Sequence, residues 1–184
     1  MLSRLSNVNN MASGNVSRMM HASARSASGV RVPQIGTFKL PDITNEPTND
    51  YAPGSVEQEQ LLAAVEEMSS KKHHVPLVIN GNEVRTGNVL EQINPGNKSQ
   101  VLCTYENAGP QEVEAAIEGT LAAKSKWESM PISDRQAIFL RAADLIATKH
   151  RYRLMAASML GQGKNIWQAE IDAATESADF LRFN

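Results

Sequence analysis

Three carboxylates close to the end of the chain have a spacing that could support chemistry. Asp172, Glu176 and Asp179 stand at i, i+4 and i+7. On a helix beginning near Asn165 they share one face with Phe183, because each residue of an α-helix advances the chain by about 100°. Like charges at these spacings repel each other by about 0.2–0.5 kcal/mol per pair. The face is therefore either an acidic surface in water, the usual role of charged helix faces, or the lining of a cavity that receives a cationic group.

The opposite face of the same helix carries an apolar stripe. Its members, which recur every three or four residues, are Trp167, Ile171, Ala174, Ala178 and Leu181. Such spacing is typical of a helix face packed against a core. The pattern predicts one amphipathic helix from about Asn165 to the end of the chain.

A glycine-rich segment, Gly161–Lys164, precedes this helix and invites comparison with a phosphate-binding loop. A Walker loop needs a glycine where Ser158 stands and a serine or threonine where Asn165 stands. A dinucleotide-binding fingerprint needs a glycine where Ile166 stands. We therefore predict that these glycines join two helices, the first of which ends at Gly161.

The remaining reactive side chains fit structural roles better than catalytic ones. Cys103, the single cysteine, lies in a short apolar segment, which predicts a small buried hydrophobe rather than an exposed nucleophile. His73 and His74 follow two lysines at the end of a predicted helix, and no third ligand stands at a metal-binding spacing. We expect this basic cluster to complement the helix dipole. The sequence thus predicts no catalytic and no metal-binding residue.

Composition and charge exclude several classes of function. The chain has 184 residues, a net charge of −2 and 41% hydrophobic residues. No apolar run reaches the ~18 residues that a membrane-spanning helix needs. This balance predicts neither nucleic acid nor membrane as a partner. One cysteine allows neither an internal disulfide nor a multi-cysteine metal site.

The first part of the chain differs in composition from the rest. Residues 1–41 contain arginines, serines and regularly spaced apolar residues but no acidic residue. This pattern is typical of a mitochondrial transit peptide, which we place at residues 1–32; the alternative is an N-terminus without a targeting role. Residues 33–54 hold four prolines and predict an extended arm or linker that lies on another surface and is not a core element.

Residues 55–184 form one incomplete domain in which strands are followed by helices. Caps, turns and periodicity predict a helix at 56–69, a hairpin of Leu77–Ile79 and Glu83–Arg85 around Asn80-Gly81, strands at Val89–Ile93 and Ser99–Tyr105, and helices at about 110–128, from Ser133 past Ile146, and at about 150–160. Ser55 and Ser133 are the predicted N-caps. Val113, Ile117 and Leu121 are the predicted buried stripe of the second helix.

From Asn94 onward the sequence resembles the N-terminal part of the aldehyde dehydrogenase superfamily. The matching positions, in the order and spacing of the family, are Asn94-Pro95, Val101, the alanine pairs at 115–116 and 122–123, Trp127, Arg135, Leu140–Ile146 and Gly163-Lys164. Gly161–Lys164 with Gln168–Ala174, Glu176 and Asp179–Asn184 is similar to one branch, which oxidises L-glutamate γ-semialdehyde. The resemblance covers residues 38–184.

The resemblance implies an α/β fold, of which this chain holds an N-terminal arm, a small antiparallel β element and the first helices of the dinucleotide-binding domain. It implies NAD-dependent oxidation of glutamate γ-semialdehyde to glutamate, in the mitochondrial matrix, by a homo-oligomer. The family's nucleophilic cysteine, general base and NAD-binding loops follow the segment matched here, so the resemblance implies that no residue of this chain binds NAD. We therefore expect an N-terminal fragment that is inactive alone and whose residues 33–184 partly unfold or self-associate in isolation.

The resemblance also gives Glu176 a role. It stands where a glutamate of the family contributes to substrate recognition near the α-amino group, and an ammonium group needs such a carboxylate. Asp172 and Asp179 are expected to be structural, and Phe180 and Phe183 either wall the same cavity or pack in the core. Two alternatives remain: an aldehyde dehydrogenase of another substrate class, and a non-enzymatic short isoform that binds the full-length subunit.

Overall fold

A computed structural model describes residues 41–184 of the chain. The predicted transit peptide at 1–32 and the first part of the predicted arm, up to residue 40, lie outside the described residues. The described part contains the elements that place the candidate site.

Helices and strands follow one another as the sequence predicts, with two additions. The helices are α1 (Val56–Ser70), α2 (Pro110–Ser129), α3 (Ile132–Ala147), α4 (Arg151–Gln162), α5 (Ile166–Ala169) and α6 (Glu176–Phe183), and the strands are β1 (His73–Val75), β2 (Leu77–Ile79), β3 (Asn82–Val84), β4 (Val89–Asn94) and β5 (Asn97–Glu106). The additions are strand β1 and a π-helical turn, Glu170–Thr175, between α5 and α6.

Helix α1 begins at the predicted cap. Ser55 Oγ accepts a hydrogen bond of 3.2 Å from the N–H of Gln58. The side chain of Gln58 accepts from the N–H of Gly54 at 2.8 Å instead of from the cap residue itself. The cap is therefore confirmed, and the returning bond is made one residue earlier than in a standard capping box.

The larger sheet is mixed rather than purely antiparallel. Strands β4 and β5 pair antiparallel, and β1 pairs with β5 in parallel, in the order β1-β5-β4. The assignment of His73 and His74 to a helix C-terminus is therefore wrong, because both lie in β1. His74 Nδ1 lies 3.0 Å from Thr104 Oγ1, and its Nε2 lies 3.3 Å from Glu106 Oε1. These contacts with β5 favour an extended chain directly after α1.

The predicted hairpin is confirmed. Leu77 pairs with Val84 and Ile79 with Asn82, so Asn80 and Gly81 form a two-residue turn. Both turn residues have left-handed φ values, 53° and 79°. This geometry suits asparagine and glycine and matches the twist of the two strands.

Helix α2 exposes the face that was predicted to be buried. Val113, Ile117 and Leu121 are 51%, 56% and 63% exposed, and no residue of the helix is buried. The spacing correctly predicted the helix, but the burial prediction is wrong because no element within residues 41–184 covers this face.

Two helix boundaries also differ from the prediction. Helix α3 follows Pro131, whose carbonyl accepts from the N–H of Asp134 at 3.0 Å, so Ser133 lies inside the first turn and is not the cap. Helix α4 continues through Gly161 and ends at Gly163, which has φ 70°. Glycine favours this left-handed conformation at helix ends, so Gly163 is the better stop signal of the two glycines.

The buried core has two parts, one where the arm, α1, α4 and the last helix meet and one between α3 and α6. One cluster contains Tyr51, Leu61, Met155, Ala169 and Ala174, and a second contains Ala143, Ala147 and Ala178. Tyr51 is only 6% exposed, so the prediction that the arm contributes nothing to the core is wrong. The arm does lie on another surface, and that surface belongs to this chain's own helices.

Candidate functional site

The helix that carries the three carboxylates begins with a capping box at Asn165. Asn165 Oδ1 accepts from the N–H of Gln168 at 2.9 Å, and Gln168 Oε1 accepts from the N–H of Asn165 at 3.1 Å. These reciprocal bonds satisfy two N–H groups that lack partners within the helix. The predicted helix start near Asn165 is confirmed.

A π-helical turn interrupts this helix just before Glu176. Thr175 is buried, and its Oγ1 donates to the carbonyls of Glu170 and Ile171, at 3.2 and 3.1 Å. Such a turn accommodates about one extra residue, so the positions after it are displaced by about 100° relative to a continuous α-helix.

The extra residue explains which part of the predicted stripe is wrong. Ala174 and Ala178 are fully buried, as predicted. Trp167 and Ile171 are 52% and 43% exposed, although the continuous pattern placed them on the buried face. The pattern assumed one uniform helix, and the π-helical turn divides it into two segments whose buried faces start at different positions in the sequence.

Glu176 begins α6 and its side chain faces outward. The residue is exposed, and it makes no hydrogen bond or ion pair to any residue between 41 and 184. Phe180 and Phe183, one and two turns later, are 63% and 57% exposed, so within the described chain they do not pack in the core. A carboxylate beside aromatic rings can bind an ammonium group by charge and by cation–π attraction.

The two neighbouring carboxylates already have cationic partners. Asp172 forms an ion pair with Lys164 at the start of the helix. Asp179 is 3.4 Å from Arg182 and also accepts two hydrogen bonds from the arm. The structure thus separates Glu176 from Asp172 and Asp179, which agrees with the structural roles predicted for the two aspartates.

A buried acid that the sequence analysis missed lies at the start of the π-helical turn. Glu170 is fully buried, and its carboxylate forms an ion pair with Arg151. It also accepts from the hydroxyl of Tyr51 at 2.5 Å and from the N–H of Asn49 at 2.7 Å. A buried charge is tolerated only when it is paired and hydrogen-bonded, as Glu170 is.

Arg151 connects this buried acid to the arm. Its Nη1 lies 2.7 Å from Glu46 Oε1, and its Nη2 donates to the carbonyl of Pro47 at 2.9 Å. Glu46 Oε2 in turn lies 2.8 Å from Arg182 Nη2. We call the set formed by Glu46, Tyr51, Arg151, Glu170, Asp179 and Arg182 the clasp. It joins the arm to α4 and to both halves of the last helix.

Burial and hydrogen bonds shift the pKa values of three members of the clasp, Tyr51, Arg151 and Asp179. Burial and the facing Glu170 carboxylate raise the pKa of the Tyr51 hydroxyl. Burial alone would lower the pKa of Arg151, but its bonds to Glu170 and Glu46 outweigh burial and raise it. Burial would likewise raise the pKa of Asp179, but hydrogen bonds from Asn45 and Glu46 and the charge of Arg182 lower it.

One sequence signal could have identified the buried acid. Glu170 stands four and eight residues before Ala174 and Ala178, on the same line of small buried residues. An acid in line with alanines on a core-facing helix needs a buried cation. Arg151 has no comparable signal, because its partners lie far away in the sequence.

The other candidate residues do not form a reactive site within the described chain. Cys103 is partly buried and belongs to neither core cluster, so it is not the core residue that was predicted. Its cross-strand neighbours are His73 and Gln92, beside a cavity of about 460 Å³. No group of three or more His, Cys, Asp or Glu side chains between residues 41 and 184 could hold a metal ion.

The glycine-rich segment forms a helix end rather than a phosphate-binding loop. The N–H of Gly163 donates to the carbonyl of Met159 at 3.0 Å and is therefore not available to a phosphate.

Among the described helices, none is both long and apolar enough to cross a membrane.

Comparison with known proteins identifies close relatives. A protein of Agaricus bisporus named delta-1-pyrroline-5-carboxylate dehydrogenase is 56% identical over 151 residues, which are 82% of this chain and 28% of that protein. A mitochondrial protein of the same name from Emericella nidulans is 46% identical over 167 residues, which are 90% of this chain and 29% of that one. The chain thus spans somewhat under a third of the length of these relatives.

The fold is similar to that of solved dehydrogenases. The crystal structure of the Mycobacterium tuberculosis delta-pyrroline-5-carboxylate dehydrogenase bound with NAD superposes with a TM-score of 0.77 at 39% identity. The match covers 81% of this chain and 28% of that one. It confirms the predicted α/β class, of which this chain contains an N-terminal portion.

A family model adds an independent match. The model of the aldehyde dehydrogenase family matches residues 83–184, which include β4, β5 and every helix after α1. The chain belongs to the aldehyde dehydrogenase family.

Proposed function

We propose that this chain is the N-terminal part of an NAD-dependent dehydrogenase that oxidises L-glutamate γ-semialdehyde, formed from Δ1-pyrroline-5-carboxylate, to L-glutamate. The observation that carries the proposal is Glu176, which is exposed beside Phe180 and has no partner among residues 41–184, in a chain whose relatives bear the name of this enzyme. Glu176 receives the α-ammonium group of the substrate. Mitochondrial names among the relatives and the acid-free residues 1–32 support the mitochondrial matrix as location.

The glycine-rich segment before α5 does not fit the phosphates of the cofactor. The glycine segment before α5 is a helix end whose N–H group is already bonded, and α5 has only four residues. In this proposal, binding of NAD, the nucleophile and the general base belong to parts of the subunit other than residues 41–184, as the resemblance implies. The role of this chain is recognition of the substrate's amino-acid end, in an enzyme that we expect to be a homo-oligomer.

The proposal is tested in a chimeric subunit, in which this chain replaces the matching segment of the Agaricus bisporus relative. We expect the chimeric subunit to oxidise glutamate γ-semialdehyde with NAD. Glu176→Ala should raise KM for that substrate about 10-fold to 100-fold, because a hydrogen bond to a charged group contributes about 1.5–3 kcal/mol. The kcat/KM for a neutral short aldehyde should stay unchanged.

Glu176→Gln separates charge from shape, since it keeps the size of the side chain but cannot pair with an ammonium group as an ion. It should resemble Glu176→Ala. Equal losses on both aldehydes would contradict recognition of the ammonium group and favour a different substrate class. An inactive chimera with correctly bound NAD would contradict the proposal as a whole.

A further inference from the structure

The arm holds the last helix on both sides of Glu176. Asn49 donates its N–H to Glu170, six residues before Glu176, at 2.7 Å. Glu46 donates its N–H to Asp179, three residues after Glu176, at 2.7 Å. Glu176 lies between these two anchor points and is itself exposed.

Asp179 is the anchor point nearer to Glu176. Besides the bond from Glu46, its Oδ2 accepts from Asn45 Nδ2 at 2.8 Å. Its side chain is 16% exposed, and Arg182, which it contacts, also contacts Glu46. A carboxylate that accepts from two consecutive arm residues fixes how far α6 is rotated about its own axis.

The arm itself is fixed in place by burial. Tyr51 has a φ of 49°, a left-handed conformation that disfavours side chains with a Cβ, and it is nevertheless buried in the larger core cluster. Such a conformation persists only where the surroundings determine it. The bonds from Asn45 and Glu46 therefore come from an anchored segment rather than a loose one.

We propose that Asp179 is a positioning residue that orients Glu176 toward the substrate through its contacts with the arm. The inference rests on the proposed function of Glu176. A misplacement of about 1 Å in a binding group lowers the rate of an enzyme by up to about 100-fold, so a small rotation of α6 affects recognition.

The experiment uses the chimeric subunit with the substitutions Asp179→Ala, Asp179→Asn and Asp172→Ala, each measured on glutamate γ-semialdehyde and on a neutral short aldehyde. Asp179→Ala should raise KM for the first substrate about 3-fold to 10-fold, with kcat and the neutral aldehyde little changed. Asp179→Asn keeps an oxygen acceptor for the N–H of Glu46 and should restore most of the affinity.

Asp172→Ala is the matched control. Asp172 lies four residues before Glu176, much as Asp179 lies three residues after it, but the partner of Asp172 is Lys164 and not the arm. It should leave KM unchanged. An equal rise in KM for Asp172→Ala and Asp179→Ala would show that negative charge alone matters, and would overturn the positioning role.

A double variant tests whether Asp179 acts through Glu176. If it does, the double variant Glu176→Ala/Asp179→Ala has no higher KM than Glu176→Ala alone. A double variant whose rise in KM is the product of the two single rises would overturn the inference. Amide hydrogen exchange at Glu46 is an independent readout, and it should accelerate in Asp179→Ala. If Glu176→Ala is selective but Asp179→Ala is not, only the positioning role fails. If Glu176→Ala is itself without effect, the proposed function and this inference both fail.

Discussion

Helices α2 and α4 both have the periodicity of amphipathic helices, but only one of them is packed within the described chain. Helix α4 buries Arg151, Met155 and Ala156, whereas α2 buries no residue. Around α4, the polar groups of the clasp find partners in the arm and in the last helix. On α2, the apolar stripe faces outward.

The difference shows that periodicity predicts a helix without predicting what covers it. The α4 region is held together by directional contacts that need partners at fixed positions, and these partners are present between residues 41 and 184. The exposed stripe of α2 consists of apolar side chains, and any apolar surface can cover it because the hydrophobic effect is not directional. The two regions should therefore respond differently to substitution.

The largest effect is expected from removing one member of the clasp. Arg151→Met leaves Glu170 buried without its cation, and breaking one side of a buried ion pair costs about 3–5 kcal/mol. Arg141→Met is the control, because Arg141 pairs with Asp144 at the surface, where a pair contributes about 1 kcal/mol or less. Urea unfolding of the whole chain, followed by circular dichroism, measures both. Similar losses for the two variants would show that the buried pairs of Arg151 stabilise the chain no more than a surface pair does.

A smaller effect is expected when the clasp is titrated. The pKa of Asp179 lies below its ordinary value of 3.8 in the folded chain, so its stabilising contribution is complete above pH 3.8 and is lost as the pH falls through the lowered pKa. The protection of the Glu46 N–H, which bonds to Asp179, against hydrogen exchange should therefore fall in acid, when each rate is compared with the intrinsic exchange rate at the same pH.

Asp179→Asn should abolish this acid step, since its side chain does not titrate. The N–H of Thr86 serves as the positive control in this variant. It bonds to Glu106, whose pKa is also lowered by hydrogen bonds despite burial and which the Asp179→Asn substitution leaves in place. A loss of protection at Glu46 in acid that persists unchanged in Asp179→Asn would assign the acid step to another group.

The smallest effect on stability is expected on α2. Replacing Val113, Ile117 and Leu121 together with glutamine should change the free energy of unfolding of the chain by only about 0.5 kcal/mol, because all three side chains are already exposed. The same change should reduce self-association of the isolated chain, measured by analytical ultracentrifugation. A large loss of stability in a monomeric chain would show that this face is packed after all.

Local signals in the sequence predicted most of the elements correctly. The cap at Ser55, the turn at Asn80-Gly81 and the helix start near Asn165 all depend on residues within a few positions of each other. Such contacts are fixed by the local sequence, and the structure confirms each of them.

Features that depend on distant partners were missed. Strand β1 has only three residues and is defined by parallel pairing with β5, about 30 residues later. The π-helical turn has no local composition that marks it, and Glu170 is stabilised by the arm and α4. Glu176 was selected by helical spacing and by resemblance, and its role stays a prediction.

The separation of the clasp partners along the chain also determines the order of assembly. Glu46 precedes Asp179 by 133 residues, and Asn49 precedes Glu170 by 121 residues. Contacts over such separations form late, because the intervening chain must first be closed into a loop. During synthesis the arm leaves the ribosome before α4 and α6 exist. The arm is thus the first described segment to be made and the last to find its binding surface.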